Sequence, residues 1–117
     1  MTVNIVKWVD TDKQFCRLGN HSWSVPRLIQ LSQDLPVMDI PLTDLNVNNC
    51  YDRLTLRELA GHADAINKAD LDYPIILDED GDIMDGRHRI MKALIDQIPT
   101  IKGVRFVKNP EPCRIHD

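Results

Sequence analysis

The stretch from Pro74 to Ile95 limits what this chain can fold into more than any other. Pro74-Ile75-Ile76-Leu77 is a short apolar run, Ile83-Met84 is a second, and Asp80-Gly81 stands between them as a hairpin turn. A bounded run of this length reads as a buried strand. Asp85-Gly86-Arg87-His88-Arg89 follows at once and opens the helical pattern Ile90-Met91-Lys92-Ala93-Leu94-Ile95. A strand that feeds a glycine at a helix start builds an anion site. The first N–H groups of the helix lack partners, the macrodipole puts about half a positive charge there, and glycine lets an anion approach the backbone. Gly86, Arg87, His88 and Arg89 are therefore candidate phosphate-binding residues. Two cations in a first turn oppose the dipole by roughly 0.3–1 kcal/mol, which asks for a reason beyond helix stability. A plainer reading leaves Arg87 and His88 in solvent and pairs Arg89 with a nearby aspartate.

The flanking elements are announced by local chemistry. Ser24 precedes Val25-Pro26-Arg27-Leu28-Ile29-Gln30-Leu31, where serine as N-cap and proline in the first turn mark a helix start. Val25, Leu28, Ile29 and Leu35 fall near one face of it, and Trp23 sits where an aromatic acts as a staple. Thr55-Leu56-Arg57-Glu58 is a capping box, and Leu56, Leu59, Ala60, Ala63 and Ile66 recur at helical spacing. Arg57, Glu58, His62 and Lys68 read as its solvated face, with Arg57 a further candidate for a shared anion because it lies in the first turn. His62 has no second ligand at i+3 or i+4, so it carries no zinc pattern.

Residues 37–42 read as a strand that Pro41 confines to an edge. Residues 3–9 read as a strand, turned by Asp10-Thr11-Asp12, with 15–18 as its return partner. Residues 101–107 alternate like another strand, and Asn109-Pro110-Glu111-Pro112 ends regular structure. Asp78-Glu79-Asp80-Gly81-Asp82 is acidic but is not an EF-hand, because Gly81 stands fourth from Asp78 and not sixth. The expected core joins Leu59, Ile66, Ile75, Ile76, Leu77, Ile83, Ala93, Leu94 and Val104.

Residues 73–106, with the Asp80-Gly81 turn, the Asp85-Gly86-Arg87-His88-Arg89 stretch, a helix and a strand, resemble the ParB/sulfiredoxin-like superfamily, in which a Gly-x-x-Arg motif at a helix start holds nucleotide phosphates. Gly86 and Arg89 match the glycine and last arginine of the ParB box Gly-Glu-Arg-Arg and of the sulfiredoxin box Gly-Cys-His-Arg, and His88 matches the sulfiredoxin histidine. Asp85 to Arg89 is also similar to the Asp-Gly-x-His-Arg stretch of the free serine kinases of that superfamily, in which the aspartate helps with the substrate hydroxyl. The resemblance extends upstream to the strand at 37–42 and the helix after Thr55. It divides a single domain, 1–117, into an N-terminal extension at 1–36, a core at 37–107 and a polar tail at 108–117. It implies an α+β fold, a small mixed sheet flanked by helices, with nucleotide phosphates at Gly86, Arg87, His88 and Arg89 and a catalytic Asp85. Three family features are absent. Arg87 replaces both the sulfiredoxin cysteine and the ParB glutamate, and the stretch 43–49 offers only Asp44 where the kinases carry a glutamate.

Charge and length narrow the function classes. The chain has 117 residues, a net charge of −4 and a pI near 5.5, so bulk electrostatics oppose nonspecific nucleic-acid binding and any phosphate recognition must be local. No apolar run approaches the roughly 20 residues that span a bilayer, and no signal-peptide pattern opens the chain, so a cytoplasmic protein without membrane contact is expected. Cys16, Cys50 and Cys113 are odd in number and widely spaced, which points to reduced thiols. Three classes stay open. The first is a nucleotide-binding or phosphoryl-transfer domain taking a nucleoside di- or triphosphate with magnesium, for which Asp82 and Asp85 are the nearest carboxylates. The second is a ParB-like nucleic-acid-binding or nuclease-type protein, and the third a non-catalytic module that regulates a protein partner. By analogy each suits a bacterial, plasmid or phage accessory protein.

Overall fold

The computed structural model of the chain describes residues 14–48 and 54–116. Its elements are β1 (Phe15–Leu18), β2 (His21–Ser24), α1 (Val25–Leu31), β3 (Met38–Pro41), a 3-10 turn at Leu42–Asp44, α2 (Leu56–Lys68), β4 (Ile75–Leu77), β5 (Ile83–Asp85), α3 (Arg87–Ile95), β6 (Thr100–Arg105) and β7 (Arg114–Ile115). The fold is α+β, a small mixed sheet flanked by helices. Four strands lie in the order β3-β6-β4-β5, with β4 parallel to β6 and the other pairs antiparallel. A second, antiparallel sheet has the order β1-β2-β7.

The local signals act as expected. Ser24 Oγ accepts the Arg27 N–H at 3.4 Å and Thr55 Oγ1 accepts the Glu58 N–H at 3.1 Å, each satisfying an orphan donor of its helix. Gly81 turns the β4–β5 hairpin at φ +88°, and its N–H closes on the Asp78 carbonyl at 3.0 Å. Pro41 stands at the end of the edge strand β3, where its missing N–H costs the ladder little. The expected strand at 3–9 and Cys50 lie outside the described residues.

Strand β4 is the centre of packing, with Ile75, Ile76 and Leu77 at 0%, 3% and 5% exposure. The pleat splits them between two apolar layers. Ile75 and Leu77 join Ile40, Leu45, Ile83, Ile90, Ala93 and Ile101 beneath α3, while Ile76 joins Trp23, Leu28, Met84, Val104 and Phe106 beneath α1 and the second sheet. The expected single core is therefore two, one on each face of the sheet. Leu59, Ile66 and Leu94 are not in either; Leu59 and Leu94 are 54% and 44% exposed and Ile66 is half-buried. Helix α2 buries no residue fully, because it meets the rest chiefly along α3. Its periodicity marked an apolar face without marking a neighbour to cover it.

The N-terminal segment and the tail both pack into the fold. Within the N-terminal segment, β1, β2 and α1 supply Cys16, Trp23 and Leu28 to the second core layer. The polar tail contains β7, which pairs with β2, and the indole N–H of Trp23 donates to the Pro110 carbonyl at 2.9 Å. A two-residue strand with no apolar alternation leaves no periodic trace. Among the described residues no helix is long and apolar enough to cross a membrane.

Candidate functional site

Strand β5 ends at Asp85, and Gly86 caps α3 from a left-handed conformation, φ +108° and ψ 18°. A Cβ at that position would lie 2.5 Å from Ile75 Cγ2, so Gly86 brings the start of α3 against β4 as no other residue could. The first turn of α3 then forms one wall of a cleft of about 870 Å³. Ile76, Met84 and Val104 floor the cleft, Val25 and Ile29 of α1 stand opposite, and His62, Ala65 and Lys68 of α2 close a side. Phe15 and Tyr73, 61% and 66% exposed, line it as well.

All five residues of the Asp85–Arg89 stretch face this cleft, but they do not share one task. The Arg89 guanidinium is already engaged. It donates to the Tyr73 carbonyl at 3.0 Å, to the Pro74 carbonyl at 2.6 Å and to Asp85 Oδ2 at 2.8 Å, with both charged side chains only 17% exposed. The pair clips the loop ahead of β4 to the start of α3. This is the plainer of the two roles expected for Arg89, and it also commits Asp85, the candidate catalytic carboxylate. Arg87 is exposed at the rim.

His88 has the partner that the sequence concealed. Its Nε2 lies 2.8 Å from Nδ1 of His62, and the ring centres are 5.1 Å apart, so the two half-buried imidazoles meet nearly head on in an N–H···N hydrogen bond. Burial pushes the His88 imidazole below the ordinary histidine value; His62 acts in the same direction, Asp85 opposes it, and Arg89 and Arg87 add to it. Lys92 keeps the two helices in register by donating to the Asn67 and Ala69 carbonyls at 3.3 and 2.9 Å, at the C-terminal end of α2. Twenty-six residues separate the two histidines, so no spacing rule could have paired them.

Two expected members lie elsewhere. Arg57 is exposed and does not line the cleft. It occupies the far end of α2, five residues before His62 in the sequence, whereas the contact with α3 runs through His62 and the helix's last turn. Asp82 also lies outside the cleft and groups with Asp78 and Asp80, whose carboxylate oxygens come within 4.8 Å of one another. The hairpin itself explains that cluster: buried Asp78 accepts the N–H groups of Asp80 and Asp82 at 2.9 and 2.8 Å. Of the two carboxylates expected for magnesium, Asp85 lines the cleft and Asp82 does not. Lys68 and Tyr73, read as surface and loop, are the residues that face the cleft instead. No protein-family model, no curated protein and no solved structure matches the chain, so the geometry of the cleft is what its functional reading rests on.

Proposed function

We propose that the chain is a ParB/sulfiredoxin-like domain that binds a nucleotide, or a related ligand ending in phosphate, in the cleft beside the first turn of α3. The carrying observation is that this cleft, at about 870 Å³ within the usual 300–1,000 Å³ of small-molecule sites, joins an apolar floor to a helix N-terminus with Arg87 and His88 on it. The floor and the exposed rings of Phe15 and Tyr73 suit a base. The α3 end suits phosphate. A net charge of −4 weighs against a nucleic-acid strand as the occupant.

The reading is one of binding, without a reaction assigned. Asp85 holds Arg89, and Asp82 is outside the cleft, so among the described residues the carboxylate pair expected for magnesium does not line it. Any magnesium would arrive on the ligand. A thermal-shift series with ADP, ATP, CTP, GTP and pyrophosphate, each with and without magnesium, tests the proposal. A ligand at 100 times its Kd adds about 2.7 kcal/mol to stability, a rise any melting curve resolves. Arg87→Ala should cut affinity about tenfold or more while leaving the unliganded melting temperature in place. No shift with any of the five ligands would refute the proposal.

A further inference from the structure

Helix α2 keeps its apolar stripe in solvent. The residues it half-buries are Glu58, Gly61, His62, Ala65 and Ile66, whereas Leu56, Leu59, Ala60 and Ala63 are exposed, the two leucines at 87% and 54%. At about 3.6 residues per turn those four share one side of the helix, away from the half-buried set. An amphipathic helix ordinarily lays such a stripe on its own core. This one faces outward.

We infer that the stripe is an interface between two copies of the chain, with α2 of one packed antiparallel on α2 of the other about a twofold axis between Ala60 and Gly61. Shape is the first argument. The large side chains Leu56 and Leu59 occupy the N-terminal half of the stripe, and Ala60 and Ala63 the C-terminal half. A parallel pair would set leucine on leucine and leave a gap between alanines. An antiparallel pair seats the leucines of each copy over the alanines of the other, large on small, as a packed interface requires.

Charge is the second argument. Arg57 and Asp64 are both exposed and stand two helical turns apart on one flank of the stripe. Equal flanks meet in an antiparallel pair, so Arg57 of each copy falls level with Asp64 of the other, and two ion pairs form about the axis. In a parallel pair the same flank would meet Leu59 and Ile66, and neither charge would gain a partner. Asp64 already accepts from Lys68 of its own helix at 2.9 Å, but its side chain is 54% exposed and a carboxylate can accept from both cations. Lys68, further along the flank, falls beyond the start of the facing helix. His62 and Ala65, which line the cleft, lie on the opposite side of α2, so the pairing is independent of the ligand proposed there.

Helix α2 has 13 residues and is about 20 Å long, so one such contact buries less than the roughly 1,200 Å² of a standard interface and the dimer is a weak one. Sedimentation equilibrium of the full chain from about 20 μM to about 1 mM should therefore show a mean mass rising from 13.4 kDa toward twice that value. Leu56→Glu changes a side chain that touches little in the folded chain, so it should raise the dimer Kd about tenfold or more and leave the circular dichroism melt unchanged. Arg57→Glu and Asp64→Lys should each weaken the dimer about threefold or more, because each sets like charges against one another across the axis. An equimolar mixture of those two variants should associate as well as the wild type. In a mixed pair one contact carries the exchanged charges and the other the native ones. A chain that stays monomeric at the highest concentration, its stripe covered by another segment of the same chain or by solvent alone, overturns the inference, as does a dimer that Leu56→Glu leaves intact. A mixture no heavier than either variant alone overturns the antiparallel pairing.

Discussion

Replacing Gly86 by alanine tests two constraints at one atom. At φ +108° an L residue is strained by about 1–3 kcal/mol. The added Cβ would also stand 2.5 Å from Ile75 Cγ2 and 2.9 Å from Ile75 Cβ, and Ile75 is fully buried at the centre of the sheet. Relief requires moving either a core side chain or the start of α3, and overpacking of this kind costs about 1–3 kcal/mol. The two costs sum to about 2–6 kcal/mol, a large part of the roughly 6–18 kcal/mol that 117 residues provide at about 0.05–0.15 kcal/mol each. Gly81 supplies the control. Its φ is +88° and a Cβ there would meet nothing within 4 Å, so Gly81→Ala carries the strain alone.

The difference between the two variants is the decisive quantity, since the backbone strain largely cancels. Urea denaturation of wild type, Gly81→Ala and Gly86→Ala should place the Gly86 variant about 1–3 kcal/mol below the Gly81 variant. Gly86→Ala should cost less in an Ile75→Ala background than in the wild type, because the nearest clashing carbon is then absent. A Gly86→Ala variant no less stable than Gly81→Ala would refute the packing account, and would leave close approach of a ligand as the remaining reason for glycine at that position.

Three further outcomes follow from other contacts. Arg89→Ala leaves Asp85 at 17% exposure without its cation and two loop carbonyls without their donor, so it should cost about 2–4 kcal/mol, with Arg89→Lys recovering a part; an unchanged urea midpoint would contradict the clip. The Cys113 thiol is held below the ordinary value by the Ser24 N–H and then by Arg27, whereas burial pushes Cys16 up to about 11. Iodoacetamide at pH 7.5 should therefore label Cys113 faster in the wild type than in Arg27→Ala and spare Cys16 in the folded chain, as peptide mapping reads; equal Cys113 rates would count against the Arg27 contact. Because the His88 pKa is lowered on folding, the unfolded chain binds the proton more readily, and the unliganded protein should lose stability as pH falls below about 6.5. Melts from pH 7.5 to 5.5 should show a smaller loss for His88→Gln, and an identical loss would exclude His88 as the source.

The features legible in the sequence are those whose cause lies within a few residues. Ser24 and Thr55 satisfy helix donors three residues away, and Asp80-Gly81 turns a hairpin between its own neighbours. The strand β4 announces itself by apolar content alone. What escaped depends on contacts between distant segments: the His62–His88 bond, the pairing of β7 with β2, and the exposure of Leu56 and Leu59 on α2 at 87% and 54%. The same distinction bears on how the Gly-x-x-Arg stretch is weighed. Its two most recognisable residues, Gly86 and Arg89, are demanded by the fold, one by the approach of α3 to Ile75 and the other by the clip to Asp85 and the β4 loop. A motif match cannot separate that demand from ligand binding. Arg87 at the rim, Lys68, Tyr73 and the histidine pair, half of which comes from another helix, line the same cleft. Selectivity of this cleft should accordingly respond to substitutions at His62 and Arg87 while stability responds to those at Gly86 and Arg89, and a set of four variants measured for both properties tests that division.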